Sequence, residues 1–451
     1  MKRYLAPIAV LALATLAVVL YHRTGRHGDP VRLRVIGEAV STIDAVEAAA
    51  KEYSAKTGIQ IVVEKYEFET ALQKSTLDLT SKTGQYDIIL QYAAALGKFA
   101  RQGHIFKMET LTHSLPPSAW GKFKPAKDLF PNVWNELSWY DSTCYGYPFA
   151  ANTMYMWYRK DLLTAPAEKS AFRTRFGYDL KAPETWQQYR DIAEFFTRPS
   201  EGLYGTAIQG KRHPAVWYEW LNFSFSFGGG VMDKKHGWEY GPIVVNSPEN
   251  IQATKFYKSL LAFSPPGATN YTWDDALTSM QQGKIALAVM WSDAVAGLED
   301  PKSSRVAGKM GYAPLPAGPR GSMAQIAGGS YFVSRYSKHP GESIKFILWL
   351  MQPENQVKQQ LHGGSSAAQD TYLNVDVSKI PYTQAQLESL KRARYMTDSV
   401  PETDQISDIL QVNLSEILTG QTTVEIGLNK AALAIHNLCP EKCPMKYPVS
   451  F

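Results

Sequence analysis

The chain has 451 residues, more than one hydrophobic core usually supports, so two units are expected. Hydrophobic residues make up 45% and charged residues 20%, a balance that excludes a disordered chain. The net charge is only +5, with 47 basic and 42 acidic residues interspersed; no basic run is long enough to follow a phosphate backbone, so nucleic acid is not an expected partner.

The N-terminus bears on the compartment. "MKR" precedes an uncharged apolar run over residues 4–21, and basic, polar "HRTGRHGD" follows it. A positive segment before an apolar one is an export signal. Ala14 and Ala17 end candidate peptidase sites, yet about 18 apolar residues also just span a bilayer. A cleaved signal and a retained anchor both place the chain beyond about residue 25 outside the cytoplasm. No cysteine follows the run, which excludes a lipid-modified N-terminal cysteine.

"VRLRVIGEA" at 31–39 is expected to be a strand broken at Gly37. Ile43, Val46, Ala50 and Tyr53 then recur at helical spacing, with Gly58 as the stop. Residues 59–67 give a second strand and 68–84 a second amphipathic helix, while "YDIILQY" at 86–92 has the unbroken apolar character of a parallel, buried strand. This alternation opens an α/β sheet, whose ligands bind beyond the carboxyl ends of the strands. Glu38, Gln91 and Tyr92 fall on that rim.

The stretch "GYPFAANTMYMWYRKDLL" at 146–163 starts as a buried strand that is interrupted by Pro148, two alanines and Asn152 before "MYMWY" resumes it. Proline argues against an ordinary central strand. The interruption is expected to be a crossing between lobes, with the Asn152 amide facing a ligand. Pro183 and Thr185 start a helix; 204–210 form a short strand; an aromatic helix ends at "GGG". Asn246 or Ser247 caps the next helix, and 272–291 contain a helix, a glycine stop and a buried strand ending at Trp291. Residues 308–321, rich in Pro and Gly, give a second crossing, 328–334 a strand, 339–361 one long helix, and "HGGSSAAQD" a third link. Two α/β lobes joined by several crossings follow from this order.

Catalytic signatures are missing: there is no nucleophile elbow, HExxH, P-loop or dinucleotide fingerprint. Asp274–Asp275 and the pair Glu402 with Asp404 are read as helix-start charges favoured by the local dipole rather than as glycosidase carboxylates. Of the three cysteines, Cys439 and Cys443 in "CPEKC" would close a small disulfide in an oxidising compartment, leaving Cys144 free; a zinc site would lack two further ligands. Neither metal nor cofactor is expected. The chain is built to bind.

The arrangement resembles the extracellular solute-binding proteins of ABC importers, in the carbohydrate-binding family that includes maltose-binding protein. "GYPFAANTMYMWYRKDLL" is similar to that family's first interlobe crossing, "PETWQQYRDIA" to its P-x-T-W helix start, and "QQGKIALAVMW" to its G-K-x-A-M strand. "GYAPLPAGPRG" resembles its second crossing, "GGSYFVSRYSKHPGESIKFILWLMQPENQ" its G-G strand plus helix, and "VPETDQISDILQVNLSEILTGQTT" its C-terminal helical signature. The resemblance implies a two-lobed, type II periplasmic-binding-protein-like α/β fold. Its first lobe would be 30–148 plus 317–362, its second 149–316 plus 363–451, with 1–29 as the export signal or anchor. It also implies a monomer that closes on a sugar or sugar alcohol by bending near Pro148, Pro314–Pro316 and Gly363–Gly364, and then meets ABC permease subunits at the membrane. One departure is "GGSY", which puts Ser330 and Tyr331 where many members carry Trp.

Sugars present hydroxyls to hydrogen-bond and C–H faces to stack on. The expected ligand set is therefore Glu38, Gln91, Tyr92, Asn152, Trp217, Trp291, Asp293 and Tyr331. Asn152 and Tyr331 also match family contact positions. Trp217, Tyr218 and Trp220 share one helix, so only one face of it reaches a cleft. Arg212 and Arg394 read as solvated charges. Rival functions are a binding protein for a polyamine or amino-acid derivative, for which only Glu38 and Asp293 are counted as cleft carboxylates, and an exported glycosidase.

Overall fold

In a computed structural model of the chain, residues 30–113, 115–376, 380–394 and 399–449 are described; the expected export segment lies outside them. The first elements alternate as their apolar periods require: β1 (Arg32–Glu38), α1 (Ser41–Thr57), β2 (Gln60–Tyr66), α2 (Phe68–Ser81) and β3 (Ile88–Tyr92). α1 buries Ile43, Val46, Ala50 and Tyr53 and stops where Gly58 turns left-handed at φ 75°, its N–H donating to Ser54 O. β1 is flanked by β2 and β3, both parallel to it.

A helix α3 (Pro131–Ser138) and a small hairpin, β4 (Trp139–Tyr140) with β5 (Thr143–Cys144), lead into the 14-residue β6 (Gly146–Arg159). Beyond β6 come α4 (Trp186–Phe195), α5 (Pro214–Phe227), α6 (Pro248–Ser259), α7 (Trp273–Gln281), β7 (Leu287–Trp291), β8 (Met310–Ala313) and β9 (Ile326–Val333). The chain then adds α8 (Pro340–Leu350), α9 (Pro353–Leu361), α10 (Thr383–Arg392), α11 (Thr403–Leu418) and α12 (Val424–Leu438). The Thr185 and Ser247 hydroxyls accept the Gln188 and Asn250 N–H groups and cap α4 and α6.

The seven-stranded sheet runs β2-β1-β3-β9-β6-β7, with β8 also on β6. β9 is antiparallel to β3 and to β6. β6 changes partners along its length, pairing with β9 as far as Thr153 and with β7 from Met154. The cores divide at the same point. Phe149, Ala150 and Ala151 pack with β1, β3, α1 and α8, whereas Met154 and Met156 pack with α4, α5, α11 and α12. The handover therefore falls about five residues past the expected boundary at 148, because the ladder to β9 continues beyond the proline.

The expected return at 363 is also displaced. Ala367, Ala368, Tyr372, Leu387 and Leu390 of α10 and its approach belong to the first core. Ser365 lies along β6, receiving the Ala151 N–H at 2.6 Å and donating its hydroxyl to Ala151 O at 2.8 Å.

Three expected elements differ. β1 does not break at Gly37, which stays in the ladder opposite Lys65 of β2. Residues 339–361 are two helices, not one, because Pro353 lacks an N–H and forces Gln352 into an extended conformation between α8 and α9. Residues 204–210 form no strand. Only Tyr204 and Gly205 pair beside β7, after which Thr206 donates to Phe263 O and Gln209 to the Glu219 carboxylate. Cys439 and Cys443 form a disulfide, and Cys144 is free and half-buried. Among the described residues no helix is long and apolar enough to cross a membrane.

Candidate functional site

The carboxyl ends of β1, β3 and β7, the start of α2 and α7, and the Asn152 stretch of β6 converge on one cavity of about 670 Å3. It lies where the two cores meet, and five of the expected residues line it: Glu38, Tyr92, Asn152, Trp291 and Asp293. The first half contributes a tyrosine and a carboxylate already joined, the Tyr92 hydroxyl donating to Glu38 Oε2. Facing them, Asn152 Nδ2 donates to Asp293 Oδ2 at 2.6 Å. Asn152 is only 2% exposed, so its amide is held in place by this bond rather than by water.

Burial pushes the Glu38 carboxyl up to about 7, against the pull of the Tyr92 hydroxyl and with help from the Asp293, Asp274 and Glu67 charges. Burial also pushes Asp293 up to about 6, opposed by its own and the Ala294 backbone N–H groups and by Asn152. Ser41, at the start of α1, ties the halves together: its hydroxyl lies 2.7 Å from Asp293 O and 3.0 Å from Gly363 O.

Aromatic rings form the walls. Tyr92 and Phe68 sit 5.6 Å apart, Phe68 meets Trp273 edge-on at 6.1 Å, and His213 packs 4.6 Å from Trp273. Tyr218 meets Trp291 edge-on at 6.0 Å. Such planes suit the C–H face of a small ring or chain while the carboxylates and amide take its polar edge.

Three expected residues do not line the cavity. Successive strand residues face opposite ways, so with Tyr92 turned to the cavity, Gln91 points to the other side of the sheet, is 3% exposed and donates to Ser75 Oγ at 3.3 Å. Tyr331 is fully buried in the first core against Phe149, its hydroxyl on Gln359. β9 runs antiparallel to β3, so its first residues meet the cavity; Ala327 lines it and Tyr331 lies opposite Leu90, inside the sheet. Trp217 is fully buried because α5 turns Tyr218 to the cavity and the ring one residue earlier into the second core. Arg394 stacks over Phe225, away from the cavity.

The sequence pattern does not single out Ser41, Phe68, His213 or Trp273, and it reads Asp274 as a helix-start charge. Phe68 opens a helix directly after β2, on the rim the carboxyl-end rule already singled out for Glu38, whereas Trp273 follows a turn at Ala268–Asn270 with no strand before it to signal the position. At α7 the cap is Thr272, and Asp275 completes the capping box by accepting the Thr272 N–H at 2.8 Å. Asp274 is left to line the cavity.

The family profile of bacterial extracellular solute-binding proteins matches residues 39–357. A probable ABC transporter-binding protein of Deinococcus radiodurans is 28% identical over 283 residues, 60% of this chain, which spans only 63% of that relative's length. A mannitol-binding protein of Pseudomonas aeruginosa is 27% identical over 337 residues, 71% of this chain and 70% of that one. An ABC transporter solute-binding protein of Agrobacterium radiobacter, solved in complex with ribitol, is similar with a TM-score of 0.78 and 25% identity over 91% of this chain and 99% of that one.

Proposed function

The chain belongs to the bacterial extracellular solute-binding proteins, a family of binding proteins and not of enzymes, and from that footing we propose that it captures a sugar or sugar alcohol for an ABC importer. The solute would lie in the cavity between the Glu38–Tyr92 pair and the Asn152–Asp293 pair, stacked on Trp273 and Trp291. The carrying observation is that pairing: two carboxylates, one held by the Tyr92 hydroxyl and the other by the Asn152 amide, face each other across aromatic walls. A polyol supplies what such a site lacks, hydroxyl donors for the remaining carboxylate lone pairs and apolar faces for the rings. The ribitol and mannitol of the relatives named above belong to that chemical class.

In this reading the protein works as an exported monomer. Its lobes exchange at Thr153–Met154 of β6 and close about the crossings as the solute contacts both sides, and a permease reads the closed form. The apolar N-terminus would be either the cleaved signal or the anchor. Melts against a panel of sugars and sugar alcohols test the proposal. A binder at 100 times its Kd adds about 2.7 kcal/mol of stability. Trp273→Phe and Trp291→Phe, which keep a ring against the core, should each weaken that binder more than they lower the ligand-free melt. A panel without a single stabilising member, or turnover of one, overturns the proposal.

A further inference from the structure

The charge lining the cavity is one-sided. Besides the deep pair Glu38 and Asp293, Glu67, Glu69, Asp274 and Asp300 line it, and among the described residues no Lys or Arg does. Asp44 lines it too, but is neutralised by Lys65 at 2.6 Å. Among the described residues none of the other six forms an ion pair. His213 is held by the backbone rather than by a carboxylate: its Nδ1 accepts the Ala215 N–H at 3.2 Å, and burial lowers its pKa. The concentration is local, since the whole chain carries +5. It is also unfavourable without an occupant, because like charges raise one another and the deep pair has lost its water.

We propose that the solute captured in this cavity is a cationic polyol, an amino sugar or amino sugar alcohol whose ammonium sits between Glu38 and Asp293 and whose hydroxyls meet Asn152 and Tyr92. This rests on the polyol-capture reading above and names the class within it. An ammonium donates to both carboxylates at once, which a hydroxyl cannot, and charge-assisted bonds of that kind are roughly twice as strong as neutral ones. The flanking Trp273 and Trp291 rings favour a cation as well. The outer carboxylates at the mouth of the cavity draw a positive solute inward and concentrate it there.

Matched pairs test this: glucose against glucosamine and sorbitol against 1-amino-1-deoxysorbitol, with spermidine as an amine lacking hydroxyls, titrated calorimetrically at pH 7. The amino member of a pair should bind about tenfold more tightly or better, its advantage shrinking as salt rises. Glu38→Gln and Asp293→Asn should each cut that advantage more than they weaken the neutral partner. A neutral member that binds as tightly as its amine overturns the inference and leaves polyol capture standing. Spermidine binding alone overturns the polyol class for both readings, and no binding by any member overturns both.

Discussion

Gly329 is where fold and site depend on one hydrogen atom. It lies in β9 opposite Tyr92 of β3 and Ala150 of β6. A Cβ added there would stand 2.0 Å from Gln91 O, 2.6 Å from Gln91 C and 2.8 Å from Tyr92 Cα. Carbon atoms pack at about 3.5 Å or more, so the methyl group is about 0.9 Å too close to the Gln91 carbonyl carbon, and it overlaps the carbonyl oxygen as well. The obstacle is main chain and cannot rotate away. Overpacking a core costs about 1–3 kcal/mol, and with a backbone in the way the upper end is expected for Gly329→Ala, about 3 kcal/mol. The push falls on Gln91 and Tyr92, so the Tyr92–Glu38 hydrogen bond moves and solute affinity falls with stability. Gly341→Ala is the control: Gly341 is the second residue of α8, nothing lies within 4 Å of the added carbon, and alanine there gains up to about 1 kcal/mol. Urea unfolding followed by tryptophan fluorescence reads the stability, and calorimetric titration of the tightest panel member reads the site. Gly329→Ala within about 0.5 kcal/mol of the parent, with unchanged affinity, refutes the reasoning.

Glu219 is buried on α5, accepting the Gln209 N–H at 2.8 Å and the Tyr257 hydroxyl at 2.6 Å, and burial pushes its pKa up to about 8. Its folded pKa lies above the unfolded value, so its contribution is full below about pH 4.3 and is lost as pH rises through about 8. Glu219→Gln should keep near-parental stability at pH 7 and flatten the decline in urea midpoint from pH 5 to 8; an equally steep decline in the variant would refute the assignment. Replacing Cys439 and Cys443 by serine opens a five-residue ring worth about 2 kcal/mol, and frees the tail that pairs Pro444 and Lys446 with Ile243. Calorimetry should show a melt lowered by a few degrees with solute affinity intact; an unchanged melt would mean that the tail holds without the bridge.

Local pattern placed most of the elements because local physics decides them. The period of α1, the serine before α6 and the glycine after α1 each act within a turn or two of chain. What sequence misplaced depends on direction and partners that lie far along the chain. Tyr331 follows a glycine pair on a strand end, but which end of β9 meets the cavity is settled by its antiparallel pairing with β3. Trp217 and Tyr218 are neighbours of like character, and only the packing of α5 on the second core decides which ring faces out. Residues 204–210 have a strand's composition, yet the buried Glu219 carboxylate claims the Gln209 N–H.

The acidic residues teach the same lesson in charge. Glu69 and Asp274 each stand in the first turn of a helix, where a negative side chain is favoured by the dipole whatever its surroundings. That explanation is sufficient for each alone, and it is why a count from sequence finds only Glu38 and Asp293 in the cleft. Folding turns the starts of α2 and α7 toward the same cavity, and the capping box of Thr272 and Asp275 at α7 leaves Asp274 to face it. Separate local preferences thus sum to a field that none of them requires. A chain selected only for stable helix starts would not need to place them around one cavity that no Lys or Arg among the described residues lines, whereas a chain that must hold a positive solute would.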